Sequence, residues 1–77
     1  MTPAEDEGPS GVHCRLDELL EARSMTLTRL SELVGVSVVN LSILKNDRAR
    51  AIRYSTLAAI CRALDCEIGD LLVCADD

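Results

Sequence analysis

Aromatic side chains are nearly absent from this chain: Tyr54 is the only one, and there is no Trp or Phe. Any core must therefore be aliphatic, made of Leu, Ile, Val, Ala and Cys. Histidine also occurs once, at His13. No nucleophile and orienting acid are placed around it by any motif, so no familiar catalytic triad can form there. No apolar run approaches the ~20 residues needed to span a bilayer. The N-terminus is acidic and lacks the basic and apolar regions of a secretory signal. We expect a soluble, cytoplasmic protein with no membrane partner. Gly-rich phosphate loops and nucleophile signatures are missing too. The four cysteines, Cys14, Cys61, Cys66 and Cys74, include no C-x-x-C pair of the kind that holds metal. These absences argue against an enzyme, a cofactor, a metal site or an evident small-molecule ligand.

What is present is one short, acidic chain. Its 77 residues make a single domain with one small core and marginal stability. Net charge is −5, which by itself disfavours nucleic acid. The distribution reverses that inference. Glu5, Asp6, Glu7, Asp76 and Asp77 lie at the two ends, and removing them leaves 8 of the 13 acids to balance 8 Lys and Arg. Within the neutral body, Lys45, Arg48, Arg50 and Arg53 outnumber Asp47 and form a basic cluster. Residues 1–11, rich in Pro, Gly and acid, read as a disordered tail. This tail is either a solvated extension or an acidic arm that competes with DNA for the basic cluster. Residues 12–75 form the folded domain, and 76–77 an acidic end.

Hydrophobic spacing places five helices. Val12, Leu16, Leu19 and Leu20 share one face of a first helix over 12–23, with Asp17, Glu18 and Glu21 on the solvated face. His13 falls near its start as a surface residue. Leu27, Leu30 and Val34 define a second helix behind the N-cap candidate Thr26, and Gly35 ends it. Val36 turns inward. Ser37 opens a third helix to Lys45, in which Leu41 and Leu44 face the core. Residues 46–53 read as a polar, basic loop that plugs Ile52 into the core. A fourth helix starts at residue 54 or 55 and carries the stripe Leu57, Ile60, Cys61 and Leu64. Asp65 and Cys66 turn the chain into a short fifth helix over 68–73. No period-2 alternation persists long enough for a strand, so the expected class is all-α. Helix, Gly-containing turn, helix is the plan of a helix-turn-helix.

The run TLTRLSELVGVSVVNLSILKN, followed by STLAAICRALDCEIGDLL, resembles the lambda-repressor and Cro family of helix-turn-helix regulators, of the small XRE-like kind found in bacteria. The resemblance covers about residues 12–73. It implies a compact five-helix domain that binds double-stranded DNA sequence-specifically as a homodimer and regulates transcription, on the nucleoid when bound. Its third helix, about 38–45, would enter the major groove. By the same resemblance Leu27, Val38, Val39, Asn40, Ser42 and Ile43 face the bases. Asn40 suits a bidentate pair with adenine, while Val38, Val39 and Ile43 offer apolar contact to thymine methyls. Lys45, Asn46, Arg48, Arg50 and Arg53 fall on the phosphates. The family often has Gln where Leu27 stands, so this DNA face is unusually apolar.

Two alternatives follow from the residues. An exposed, contiguous apolar face would suit a protein-interaction module built on the same scaffold. Four thiols would suit a redox or metal sensor. On the helical wheel Cys61 is core, Cys66 follows in the turn as a small buried hydrophobe, Cys14 is the more exposed, and Cys74 lies past the fifth helix. Leu71, Leu72 and Val73 cannot all face one small core. They are the dimer candidates.

Overall fold

The computed structural model describes residues 11–74. Seven elements follow in order: β1 Val12–Cys14, α1 Leu16–Ala22, α2 Leu27–Val34, α3 Val38–Lys45, α4 Tyr54–Leu64, α5 Ile68–Leu71 and β2 Leu72–Cys74. Five helices are found where five were expected. The all-α expectation needs correction, because β1 and β2 pair antiparallel, with Val12 opposite Cys74, His13 opposite Val73 and Cys14 opposite Leu72. Arg15 N–H donates to Leu71 O at 2.7 Å and continues the ladder. Three residues per strand are too few to display an alternation, which is why the pattern was invisible.

The sheet moves two helix boundaries. The first helix begins at Leu16, not residue 12, and the fifth ends at Leu71, not residue 73. Leu72 and Val73 are therefore strand residues. A strand alternates sides every residue, whereas a helix rotates by 100°. Cys14 consequently points inward and is only 4% exposed, contrary to the helical-wheel expectation. Leu71 is sealed in the core, which removes it from the dimer candidates. The expected tail lies outside the described residues, apart from Gly11, and so does the acidic C-terminal end.

The capping signals act as the sequence suggests. Thr26 accepts Arg29 N–H at 3.0 Å, and Ser37 accepts Asn40 N–H at 3.1 Å. Each satisfies a first-turn donor that has no partner within its helix. Gly35 adopts φ +75 as the left-handed cap of α2. Ser31 Oγ donates to Val36 O at 2.6 Å and closes the corner behind it. The chain bends by 114° between α2 and α3, within the range of a helix-turn-helix. At the far end of α4, Arg23 Nε donates to Leu64 O at 2.6 Å and its Nη2 to Asp65 O at 3.0 Å. That guanidinium satisfies two carbonyls that the helix leaves open.

One aliphatic cluster joins all of this. Leu16 and Leu20 of α1, Leu30 of α2, Leu41 and Leu44 of α3, the α4 stripe and Leu71 are buried together with Cys14. Ile52 packs against it from the loop, as the sequence suggests. The cluster fixes α3 on its Leu41 and Leu44 side and leaves the other side to solvent. No single described helix is long and apolar enough to cross a membrane.

Candidate nucleic-acid interface

The outer side of α3 carries Val38, Val39, Asn40 and Ile43, all exposed, and Val39 is 68% accessible. Such exposure of apolar residues on one short helix is costly in water unless a partner covers it. Ser42, on the same helix, is half-buried. Leu27 opens α2 and is also half-buried, packed against the core cluster.

Between α3 and the loop that follows lies an open groove of about 710 Å³. The loop doubles back because Ile52 and Ala49 pack against the core, which turns its arginines outward. Asn40 and Ile43 line one wall of the groove, and Arg48, Arg50 and Arg53 line the other. Among its described lining residues there is no carboxylate. The guanidinium groups of Arg48 and Arg53 form no ion pair with any described residue, so their charge is available to an anion.

The structure thus gathers Asn40, Ile43, Arg48, Arg50 and Arg53 around one groove. Val38 and Val39 flank it on the exposed turn of α3. Lys45 is drawn the other way, with Nζ 3.4 Å from Asp17 Oδ2 on α1. Asn46 caps the C-terminus of α3 and stays exposed without lining the groove.

Three features lie beyond the sequence reading. Tyr54, the first residue of α4, is 88% exposed beside Arg53. Thr56, one turn into the same helix, reaches the groove wall. Nothing in the spacing of α4 marks either residue, since both lie off its apolar stripe. The third feature is Asp47. It stands two residues past the end of α3, after the cap Asn46, in the left-handed region at φ +62. Its Oδ1 accepts Cys14 N–H at 2.8 Å, and its Oδ2 lies 2.8 Å from His13 Nδ1. These bonds hold its carboxyl below the usual carboxylate range, the His13 contact contributing most. The one acid within the basic cluster is thereby tied to β1, where it shares a small hollow with Arg50. An Asp in a turn is a familiar signal, but its partners 33 and 34 residues away are not.

The thiols sit elsewhere. Burial pushes the Cys14 thiol up, and it pushes Cys66 up to about 11, with Cys61 beside it adding to the effect. A thiol is a nucleophile and metal ligand only as thiolate, so both are poor candidates for sensing. Among the described residues no cluster of three His, Cys, Asp or Glu could hold a metal.

Comparison with known proteins bears on this geometry. The profile of the Cro/C1-type HTH DNA-binding domain matches residues 15–77. The chain is 58% identical, over 57 residues, to the uncharacterized HTH-type transcriptional regulator YozG of Bacillus subtilis strain 168, covering 74% of this chain and 68% of that one. Its fold is similar to the crystal structure of the transcriptional regulator VanUg, with a TM-score of 0.70 and 31% identity over 86% of this chain and 87% of the other.

Proposed function

The chain belongs to the family of Cro/C1-type HTH DNA-binding domains, and from that premise we propose how it engages its DNA. The protein is a DNA-binding regulator of transcription. In our reading α3 lies in the major groove of a double-stranded operator. Asn40 pairs with an adenine edge, while Val38, Val39 and Ile43 contact thymine methyls. Ser42 plays a minor part because it is half-buried, and Leu27 supports the face rather than reading it. Arg48, Arg50 and Arg53 hold phosphates, and Tyr54 and Thr56 extend that contact along the first turn of α4. Lys45 and Asn46 stand at the margin. One α3 spans a half-site, so two copies act together on a two-fold operator. Because Leu71 is sealed and Leu72 packs against the core, the pairing surface is carried by half-buried Val73, which lies opposite the exposed His13.

The observation that carries this reading is the groove in which exposed apolar and amide groups of α3 face three arginines, with no carboxylate among its described lining residues. The test separates affinity from specificity. Selection from a random duplex pool at fixed salt first yields the operator. Arg48→Ala or Arg53→Ala then weakens operator and random DNA alike, and lowers the slope of log affinity against log salt by about one. Asn40→Ala costs roughly 1–3 kcal/mol on operator only and leaves the slope unchanged. Equal weakening of all sequences by Asn40→Ala would remove α3 as the reading element.

A further inference from the structure

The small sheet has two outer edges, and the fold treats them differently. Arg15 N–H donates to Leu71 O, and Cys14 N–H turns away from β2 toward Asp47. Bonded and unbonded pairs alternate along an antiparallel ladder. His13 and Val73 are therefore the pair that exchanges hydrogen bonds, while Cys14 and Leu72 stand opposite without exchanging any. The backbone groups of Val12 and Cys14 lie on the outer edge of β1, and those of Leu72 and Cys74 on the outer edge of β2.

The edge of β1 is closed. Asp47 Oδ1 accepts Cys14 N–H at 2.8 Å, and Val12 also has a partner. A side chain seated on an edge bars another strand from it. On β2 one donor, Leu72 N–H, is spent inside the fold on Ile68 O. Leu72 O and Cys74 N–H meet no described residue. Nor does β2, with the sequence LVC, carry a charge or a proline to discourage pairing. Such an edge is a template for a further strand, and proteins that make no use of one protect it.

We propose that the outer edge of β2 pairs antiparallel with the same edge of a second copy, joining the two sheets into one across a two-fold axis at Val73. This deepens the reading in which two copies act on one operator, and rests on that reading for its role.

Complementarity selects a second copy as the occupant. A two-fold axis at Val73 brings Cys74 N–H to the partner's Leu72 O, and the partner's Cys74 N–H to Leu72 O. Each open group thus finds its opposite. An axis at Leu72 fails, because that residue's N–H is already spent. Val73, half-buried in one copy, comes to lie against its own counterpart, with His13 next to it on the same face of the sheet. Side chains meet most closely at such an unbonded pair. Two hydrogen bonds and one apolar pair make a weak contact, so association depends on concentration.

Two measurements on the full chain without DNA test this. In wild type, the Cys74 amide exchanges with solvent roughly tenfold more slowly when protein concentration rises about a hundredfold, whereas the Val73 amide, bonded to His13 within one copy, does not change. In the variant Val73→Cys, Cys74→Ser, mild oxidation joins two copies through residue 73, where a Cα separation of about 4.5 Å lies within disulfide range. Wild type cross-links roughly tenfold more slowly, because its two Cys74 residues lie diagonally, about 7–8 Å apart. Wild type cross-linking as fast as the variant overturns the register. A Cys74 amide indifferent to concentration overturns the edge pairing itself. If sedimentation then shows a dimer, the copies pair elsewhere and the two-copy reading survives. If it shows a monomer that also binds operator as one copy, that reading falls as well.

Discussion

Asp47 provides the sharpest test of how the DNA-facing loop is held. Replacing it with Ala removes the carboxylate that accepts Cys14 N–H and contacts His13. A hydrogen bond to a charged acceptor contributes about 1.5–3 kcal/mol. The Asp47 side chain is 38% exposed, so the lower end applies. The exposed His13 contact adds about 0.5 kcal/mol. Alanine must also hold the left-handed φ of +62, which costs about 1 kcal/mol more than Asp pays there. Asp47→Ala therefore destabilises by about 3 kcal/mol, a fall in Tm of roughly 12–24 °C for a domain of this size. Asp47→Gly loses the same contacts but accepts the backbone, and costs about 2 kcal/mol. Asp47→Asn keeps an acceptor for Cys14 and a residue that tolerates the conformation, and costs about 1 kcal/mol. The order Asn, Gly, Ala is the diagnostic, read by urea and thermal unfolding at neutral pH. The pH dependence has a fixed sign. The folded-state pKa of Asp47 lies below its unfolded value, so its stabilisation is complete above ~3.9 and fades as pH falls through the folded value. The gap between wild type and Asp47→Asn must close in that acid window. An alanine variant within about 0.5 kcal/mol of wild type at pH 7, or a gap unchanged at pH 3, would refute the anchoring role.

Two further predictions follow from burial. In the folded protein, exposed Cys74 alkylates first, Cys66 slowly because its thiol is pushed up to about 11, and buried Cys14 and Cys61 only on unfolding. Mass spectrometry of a timed maleimide reaction gives the order, and Cys14 labelling as fast as Cys74 would mean that β1 does not pair as described. In light scattering, the protein with operator has the mass of two copies per duplex, and Val73→Asp reduces this to one. One copy per operator for the wild type rules out the pairing surface on β2.

Much of the architecture was present in local sequence signals. Thr26, Gly35 and Ser37 mark helix ends because the donors and carbonyls they serve lie within a few residues. The spacings of Leu41 with Leu44, and of Leu57, Ile60, Cys61 and Leu64, report faces directly, because a helix repeats every 3.6 residues. Those signals sufficed for five helices, the helix-turn-helix and the face that α3 turns outward. They also gave the family, whose profile matches residues 15–77. The two ends of the fold were decided differently. β1 and β2 lie some sixty residues apart and exist only because each satisfies the other's backbone groups, with Val12 opposite Cys74. Neither carries enough residues to announce a strand alone. That pairing turned Cys14 inward, took Leu72 and Val73 out of helix, and left Leu71 in the core. It also brought His13 and Cys14 to Asp47. Periodicity measures how a segment prefers to coil. Which distant segment completes its hydrogen bonds, and which acid it thereby holds, is settled only when the chain closes on itself.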